Sequence, residues 1–114
     1  MEKFVVEGSH KLSGKVTVSG NKNEALPVLA ACLITEDTVV LRNVPRIGDV
    51  ETMLAILVDL GAEITEINRN ELAINCKNIK DIKFDRQKCA TLRAAILLAG
   101  PLLARLGKVE LPPP

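Results

Sequence analysis

Tryptophan and tyrosine are absent from this sequence, and its aromatic residues are Phe4 and Phe84 alone. A chain of 114 residues can enclose one small core, which here has to be built from leucine, isoleucine, valine and alanine. The lack of aromatics also removes the stacking platforms on which single-stranded nucleic acids are held. Neither sign of charge is in excess: 15 basic and 14 acidic side chains leave +1. Such a balance gives no general electrostatic reason to bind nucleic acid or an anionic membrane. The single histidine, His10, has no second His or Cys beside it to form a metal site. Cys32, Cys76 and Cys89 are widely spaced, odd in number and free of any CxxC pattern, which argues against a disulfide framework. A reducing, cytoplasmic compartment is the expectation. The opening MEKFVVEGSHK lacks the apolar stretch of a signal peptide. The longest apolar run, 94–104, is too short to cross a bilayer and contains Gly100-Pro101.

What is present is a chain 47% hydrophobic, globular rather than disordered. Residues 3–7 and 15–19 alternate as short strands, with Ser13-Gly14 as the turn between them. A helix is expected from Asn21–Asn23 to about Thr35, with Asn21 and Glu24 as a loose capping box. Pro27 inside it should make the first turn irregular or delay it, leaving the backbone at Asn23 freer to face a ligand. Residues 38–42 read as a strand. Asp49 reads as the N-cap of a helix ending at Leu60, with Val50, Met53, Leu54, Leu57 and Leu60 as its apolar stripe. Gly61 is placed to end that helix in a left-handed cap. Residues 62–67 and 71–75 form a hairpin, with Leu72 and Ile74 on one face. A third helical region follows Asp85, kinked or divided by Pro101 and ended by Gly107. A short strand over 109–111 precedes Pro112-Pro113-Pro114. The alternation of helix and strand predicts an α/β layered fold.

Two positions suggest chemistry. Ser19-Gly20-Asn21-Lys22-Asn23-Glu24 lies at a strand-to-helix junction, where unpaired N–H groups and the Lys22 ammonium make a local anion site. Asn23 can both donate and accept hydrogen bonds and so orient a polar substrate. An ordinary capped helix with a solvated lysine explains the same residues. Arg93 stands near the start of a very apolar helix, where a guanidinium either snorkels to water or is held for an anion. Arg105, in the last turn, reads as a surface cation complementing the helix dipole. Gly8 to Lys15 imitates a P-loop, but the spacing is off by one and Val16 replaces the Ser or Thr. The cysteines have no activating partner.

Three segments carry a resemblance: KLSGKVTVSGNKNEALPVLAACLIT, LRNVPRIGDVETMLAILVDLGAEI and TLRAAILLAGPLLARLGKVELP. They resemble, in order, the opening of the UDP-N-acetylglucosamine enolpyruvyltransferases. The resemblance implies part of a fold of repeated βαβαββ-type units, an inverse α/β barrel. It also implies that residues 1–20 belong to the second domain of a complete enzyme and 21–114 to an incomplete first domain. The implied activity is transfer of the enolpyruvyl group of phosphoenolpyruvate to the 3'-hydroxyl of UDP-N-acetylglucosamine, with release of phosphate, in peptidoglycan synthesis. Lys22 is implied as a contact to phosphoenolpyruvate, Asn23 to the sugar and Arg93 to the UDP-sugar. No metal or organic cofactor is implied. Partners would be the two substrates and the remainder of the enzyme, with no nucleic acid and no membrane.

The family's Gly-Gly pair and proton-donating Cys or Asp have no counterpart before Pro114, so this polypeptide by itself is expected to be inactive. Two other readings remain open here. One is a shikimate-pathway enolpyruvyltransferase, which typically has Lys-Ser where this chain has Lys22-Asn23. The other is a non-catalytic α/β module that binds a nucleotide sugar or a protein.

Overall fold

The computed structural model describes residues 2–80 and 84–112; Pro113 and Pro114, expected to form a stiff run with Pro112, lie outside them. Helix α1 spans Lys22–Ala31 and tightens into a 3-10 turn over Cys32–Ile34. Strand β1 (Thr38–Leu41) leads to α2 (Gly48–Leu60), and the hairpin β2 (Glu63–Asn68) and β3 (Glu71–Asn75) follows. The chain continues as α3 (Arg86–Thr91), a 3-10 run over Arg93–Leu98, and α4 (Ala99–Leu106).

The sheet is antiparallel, ordered β1-β3-β2, with β3 at its centre. Val39 and Leu41 of β1 face Ile74 and Leu72, and Ile64 of β2 faces Ile74 from the other side. Side chains on alternate positions share a face, so Leu72 and Ile74 are buried and the half-buried Val39, Leu41 and Ile64 pack beside them. Helices α1, α2 and α4 cover this face with Leu29, Met53, Leu57 and Leu102, all fully enclosed. The core is aliphatic, as the lack of aromatics requires; Phe84 only borders it. No helix among the described residues is long and apolar enough to cross a membrane.

The expected stripe of α2 is buried throughout, and Ile56 joins it. Gly61 ends the helix at φ 111°, a left-handed conformation open to glycine. A Cβ there would also run into the Asn78 carbonyl oxygen. Gly107 closes α4 in the same way at φ 80°.

Several expectations are corrected. Residues 3–7 and 15–19 are not strands: the segment has no ladder partner, with Phe4 99% and Val16 89% exposed. Alternation marks a chain able to pair, and pairing needs a neighbour. Residues 109–111 likewise form no strand. Pro27 neither delays nor breaks α1, which begins at Lys22. Its missing N–H instead leaves the Asn23 carbonyl without a helical partner. The third helical region divides at Leu92, not at Pro101. Pro101 is the third residue of α4, a first-turn position whose N–H has no partner within the helix. Asp49 is not the cap of α2; extended Ile47 takes that place without a side-chain bond.

Arg105 is corrected as well. Its guanidinium is partly buried and donates to four carbonyls: Leu33 (2.6 Å), Cys76 (3.0 Å), Lys77 (3.2 Å) and Thr35 (3.4 Å). Two of these belong to the end of the α1 extension, where carbonyls lack helical partners. The cation thus complements the negative end of a different helix from its own, and it ties α4 to α1 and to the end of β3.

Candidate active site

Asn21 is extended (φ −117°, ψ 133°) and its side-chain oxygen accepts from the Asn23 N–H at 2.7 Å. That bond caps α1 and sets Lys22 and Asn23 in its first turn. Gly20 lies so close to the β1–α2 loop that a Cβ would collide with the Asn43 carbonyl oxygen and reach 2.8 Å from Pro45 Cδ. Asn43 occupies the left-handed region at φ 59°, which asparagine tolerates, and its amide donates to the Val18 carbonyl at 3.3 Å. The N-terminal segment is therefore fastened to the loop just where α1 begins.

The loop is held from the other side by the hairpin tip. Val44 N–H donates to the Asn70 carbonyl at 2.9 Å, and the Asn70 amide returns a bond to the Val44 carbonyl at 2.8 Å. Arg46 grips both oxygens of Glu51 and also donates to Glu66 and to the Arg69 carbonyl, each at 3.1 Å. The bonded guanidinium holds the Glu51 carboxyl below its ordinary range, and Glu51 raises Arg46. The start of α2 is fixed in this way relative to α1.

Across the gap the Lys22 ammonium meets Asp49, with Nζ 3.1 Å from Oδ2. Both side chains remain nearly half exposed. A small hollow of about 70 Å³ between α1 and the loop after β1 is lined by Asn21, Glu24, Ala25, Asn43 and Pro45 among others, but not by Lys22, Asn23 or Asp49. Lys22 and Asn23 thus stand together at the first turn of α1, one paired and both accessible.

Arg93 lies elsewhere. It opens the 3-10 run that packs against α1 and is exposed. It makes no hydrogen bond or ion pair with the described residues. It borders a mainly apolar hollow of about 340 Å³ with Cys89, Leu92, Ile96, Leu111 and Pro112. Lys22 and Asn23 are not among the residues that line this hollow.

The cysteines are not nucleophiles here. All three are free and buried. Burial pushes the Cys32 thiol up to about 11, with Cys76 adding to the effect and a backbone hydrogen bond opposing it. Cys76 is raised by burial against the pull of Arg105, and Cys89 by burial and by Asp85. Among the described residues no three His, Cys, Asp or Glu gather in a way that would hold a metal ion.

Sequence reasoning missed Asp49 as a partner of Lys22, because their pairing spans 27 residues. It also missed Gly20 as a point of close approach. Glycine immediately before a capped helix was the available signal.

A helix–sheet unit with this arrangement is found in the enolpyruvyl transferase NikO from Streptomyces tendae. The match has a TM-score of 0.71 and covers 88% of this chain and 23% of that one, at 21% sequence identity. The fold is accordingly of the enolpyruvyl-transferase type. Residues 6–112 match the sequence model of the EPSP synthase (3-phosphoshikimate 1-carboxyvinyltransferase) family, and the chain belongs to that transferase family. Within it, the chain is 52% identical over 111 residues to the UDP-N-acetylglucosamine 1-carboxyvinyltransferase of Bradyrhizobium diazoefficiens. That match covers 97% of this chain and 26% of the relative. The enzymes of the same name from Magnetococcus marinus and Treponema denticola are 46% and 40% identical, over 97% and 100% of this chain and 26% and 27% of theirs. The chain spans about a quarter of the length of the curated relatives it matches.

Proposed function

We propose that this chain is part of an enzyme that transfers the enolpyruvyl group of phosphoenolpyruvate to the 3'-hydroxyl of UDP-N-acetylglucosamine and releases phosphate, a step that feeds peptidoglycan synthesis. The observation that carries this reading is the identity of 40–52% with enzymes of that name along essentially the whole chain. The family model is described by phosphoshikimate chemistry, but Lys22-Asn23 fits the nucleotide-sugar branch, where the shikimate branch typically has Lys-Ser.

In this reading Lys22 binds the phosphoenolpyruvate phosphate. An ammonium with three donors, fixed beside a helix N-terminus, stabilises negative charge on the phosphate without rearranging as the tetrahedral intermediate forms and collapses. Asn23, exposed next to it, orients the sugar hydroxyl. Arg93 reaches the UDP-sugar from its separate hollow once the rest of the protein supplies the opposite wall. Residues 1–20 join a second domain: the unpaired segment with Phe4, Val5, Val6 and Val16 in solvent has the composition of strands awaiting partners. The proton donor and general base belong to the remainder of the enzyme. Three free thiols fit a reducing, cytoplasmic setting.

The test is phosphate release by the full-length protein from phosphoenolpyruvate with UDP-N-acetylglucosamine or shikimate 3-phosphate as acceptor. Turnover with the nucleotide sugar alone is expected. Turnover with shikimate 3-phosphate alone, or with neither, refutes the reading.

A further inference from the structure

We propose that Asp49 is a positioning residue for Lys22: its carboxylate fixes the ammonium between the starts of α1 and α2, where the anionic donor is taken up. The inference rests on the role given to Lys22 above.

Lys22 is the first residue of α1, so its cation faces the positive end of its own helix dipole. Glu24, the acid in the first turn of α1, does not pair with Lys22, whose ammonium bonds to Asp49 instead, and the flexible lysine stem can otherwise carry the charge into solvent. Asp49 supplies the missing attraction from another helix. It lies in the first turn of α2, where the dipole favours its negative charge. Its Oδ2 accepts from Lys22 Nζ at 3.1 Å.

Asp49 has no capping duty that would explain its presence. Ile47 is the N-cap of α2 and makes no side-chain bond. The hydrogen bond its carboxylate makes within the described residues runs to Lys22. The pair is also poorly suited to holding the fold together. The side chains are 48% and 42% exposed, and solvent-facing pairs contribute little to stability. Its loss should leave the helices in place and release the ammonium. Misplacing a reacting group by about 1 Å is enough to cost up to about 100-fold in rate. One of the three ammonium N–H donors is taken by Asp49, and two remain for phosphate oxygens.

A carboxylate close to a bound anion also repels it. If repulsion were the main effect of Asp49, removing its charge would tighten donor binding and leave turnover intact. Positioning predicts the reverse.

The experiment is steady-state phosphate release by the full-length protein for Asp49→Ala, Asp49→Asn, Lys22→Ala and the double variant, each with its melting temperature. Asp49→Ala should lower kcat about 10- to 100-fold, with KM for the nucleotide sugar and the melting temperature unchanged. Asp49→Asn keeps an acceptor oxygen in the same place and should recover much of the loss. In the Lys22→Ala background, removing Asp49 should change the residual rate no further. Wild-type kcat in Asp49→Ala, tighter donor binding on neutralisation, or an equal loss in both backgrounds overturns the proposal. Should Asp49→Ala not fold, Asp49→Asn carries the test: a fall of about three- to tenfold in kcat supports positioning, and an unchanged kcat overturns it. Normal turnover in Lys22→Ala would remove Lys22 from the site and this inference with it. A severe loss there beside a fully active Asp49→Ala would defeat this inference alone.

Discussion

Replacing Arg105 with methionine keeps the aliphatic stem and deletes the guanidinium that joins three parts of the fold. Four carbonyls lose their donor: Leu33 and Thr35 at the end of the α1 extension, and Cys76 and Lys77 after β3. Two of the bonds, to Leu33 at 2.6 Å and to Cys76 at 3.0 Å, are short and part-buried. Bonds from a charged donor are worth about 1.5–3 kcal/mol each when fully desolvated; with this guanidinium only part-buried, the two together amount to about 2–3 kcal/mol. The bond to Lys77 is exposed and that to Thr35 is long at 3.4 Å, so both add little. The cost should be local, because the clasp closes α4 onto α1 and the sheet rather than filling the core. Hydrogen exchange in the full-length protein reads it directly. Amides of α4 and of the Thr38–Asn75 end of the sheet should exchange about 30- to 150-fold faster, the same free energy expressed as an opening equilibrium. The centre of α2 should keep its protection. Less than a threefold change at α4, or an equal acceleration everywhere, would refute the idea that Arg105 is a local clasp.

Gly20→Ala should destabilise the protein by about 1–3 kcal/mol, because the added methyl meets backbone at Asn43 and the Pro45 ring; urea titration measures it, and donor affinity should fall as the start of α1 is pushed away. Glu51→Gln should cost about 0.5–1 kcal/mol at neutral pH, the scale of a partly exposed pair. The Arg46 pairing holds the Glu51 carboxyl below its ordinary 4.5. Its stabilisation is therefore complete above that value and disappears as pH falls through the lower folded one. The urea midpoints of wild type and Glu51→Gln should accordingly converge on acidification below 4.5. Cys32, with its thiol near 11 and its side chain buried, should resist alkylation at neutral pH in the folded protein and react on unfolding, followed by mass spectrometry.

How much of this was legible in the sequence divides along the range of the forces. The α2 stripe from Val50 to Leu60, the Gly61 cap and the inward Leu72 and Ile74 follow from local periodicity and backbone preference, and were read correctly. The mistakes fall where a residue's role is set by something distant in the chain. Residues 3–7 and 15–19 alternate well enough for strands, but no partner lies within the described residues. Asp49 satisfies every local rule for a cap, yet its carboxylate goes to Lys22. Arg105 was expected to serve its own helix and serves the end of another. The order β1-β3-β2 was also not visible, since hairpin spacing pairs β2 with β3 but says nothing of which edge receives β1. At the site, the Asn21-led start of α1 that sets Lys22 and Asn23 together was readable from local capping preference. The apolar hollow that Arg93 borders was not.

The account depends on the Lys22 ammonium as the grip on the anionic donor. Calorimetric titration of the full-length protein with phosphoenolpyruvate, in the presence of UDP-N-acetylglucosamine, compares wild type with Lys22→Ala at equal melting temperature. Loss of one charge-assisted contact of about 1.5–3 kcal/mol predicts donor affinity weakened about 10- to 150-fold. Equal affinity for the two proteins would contradict it.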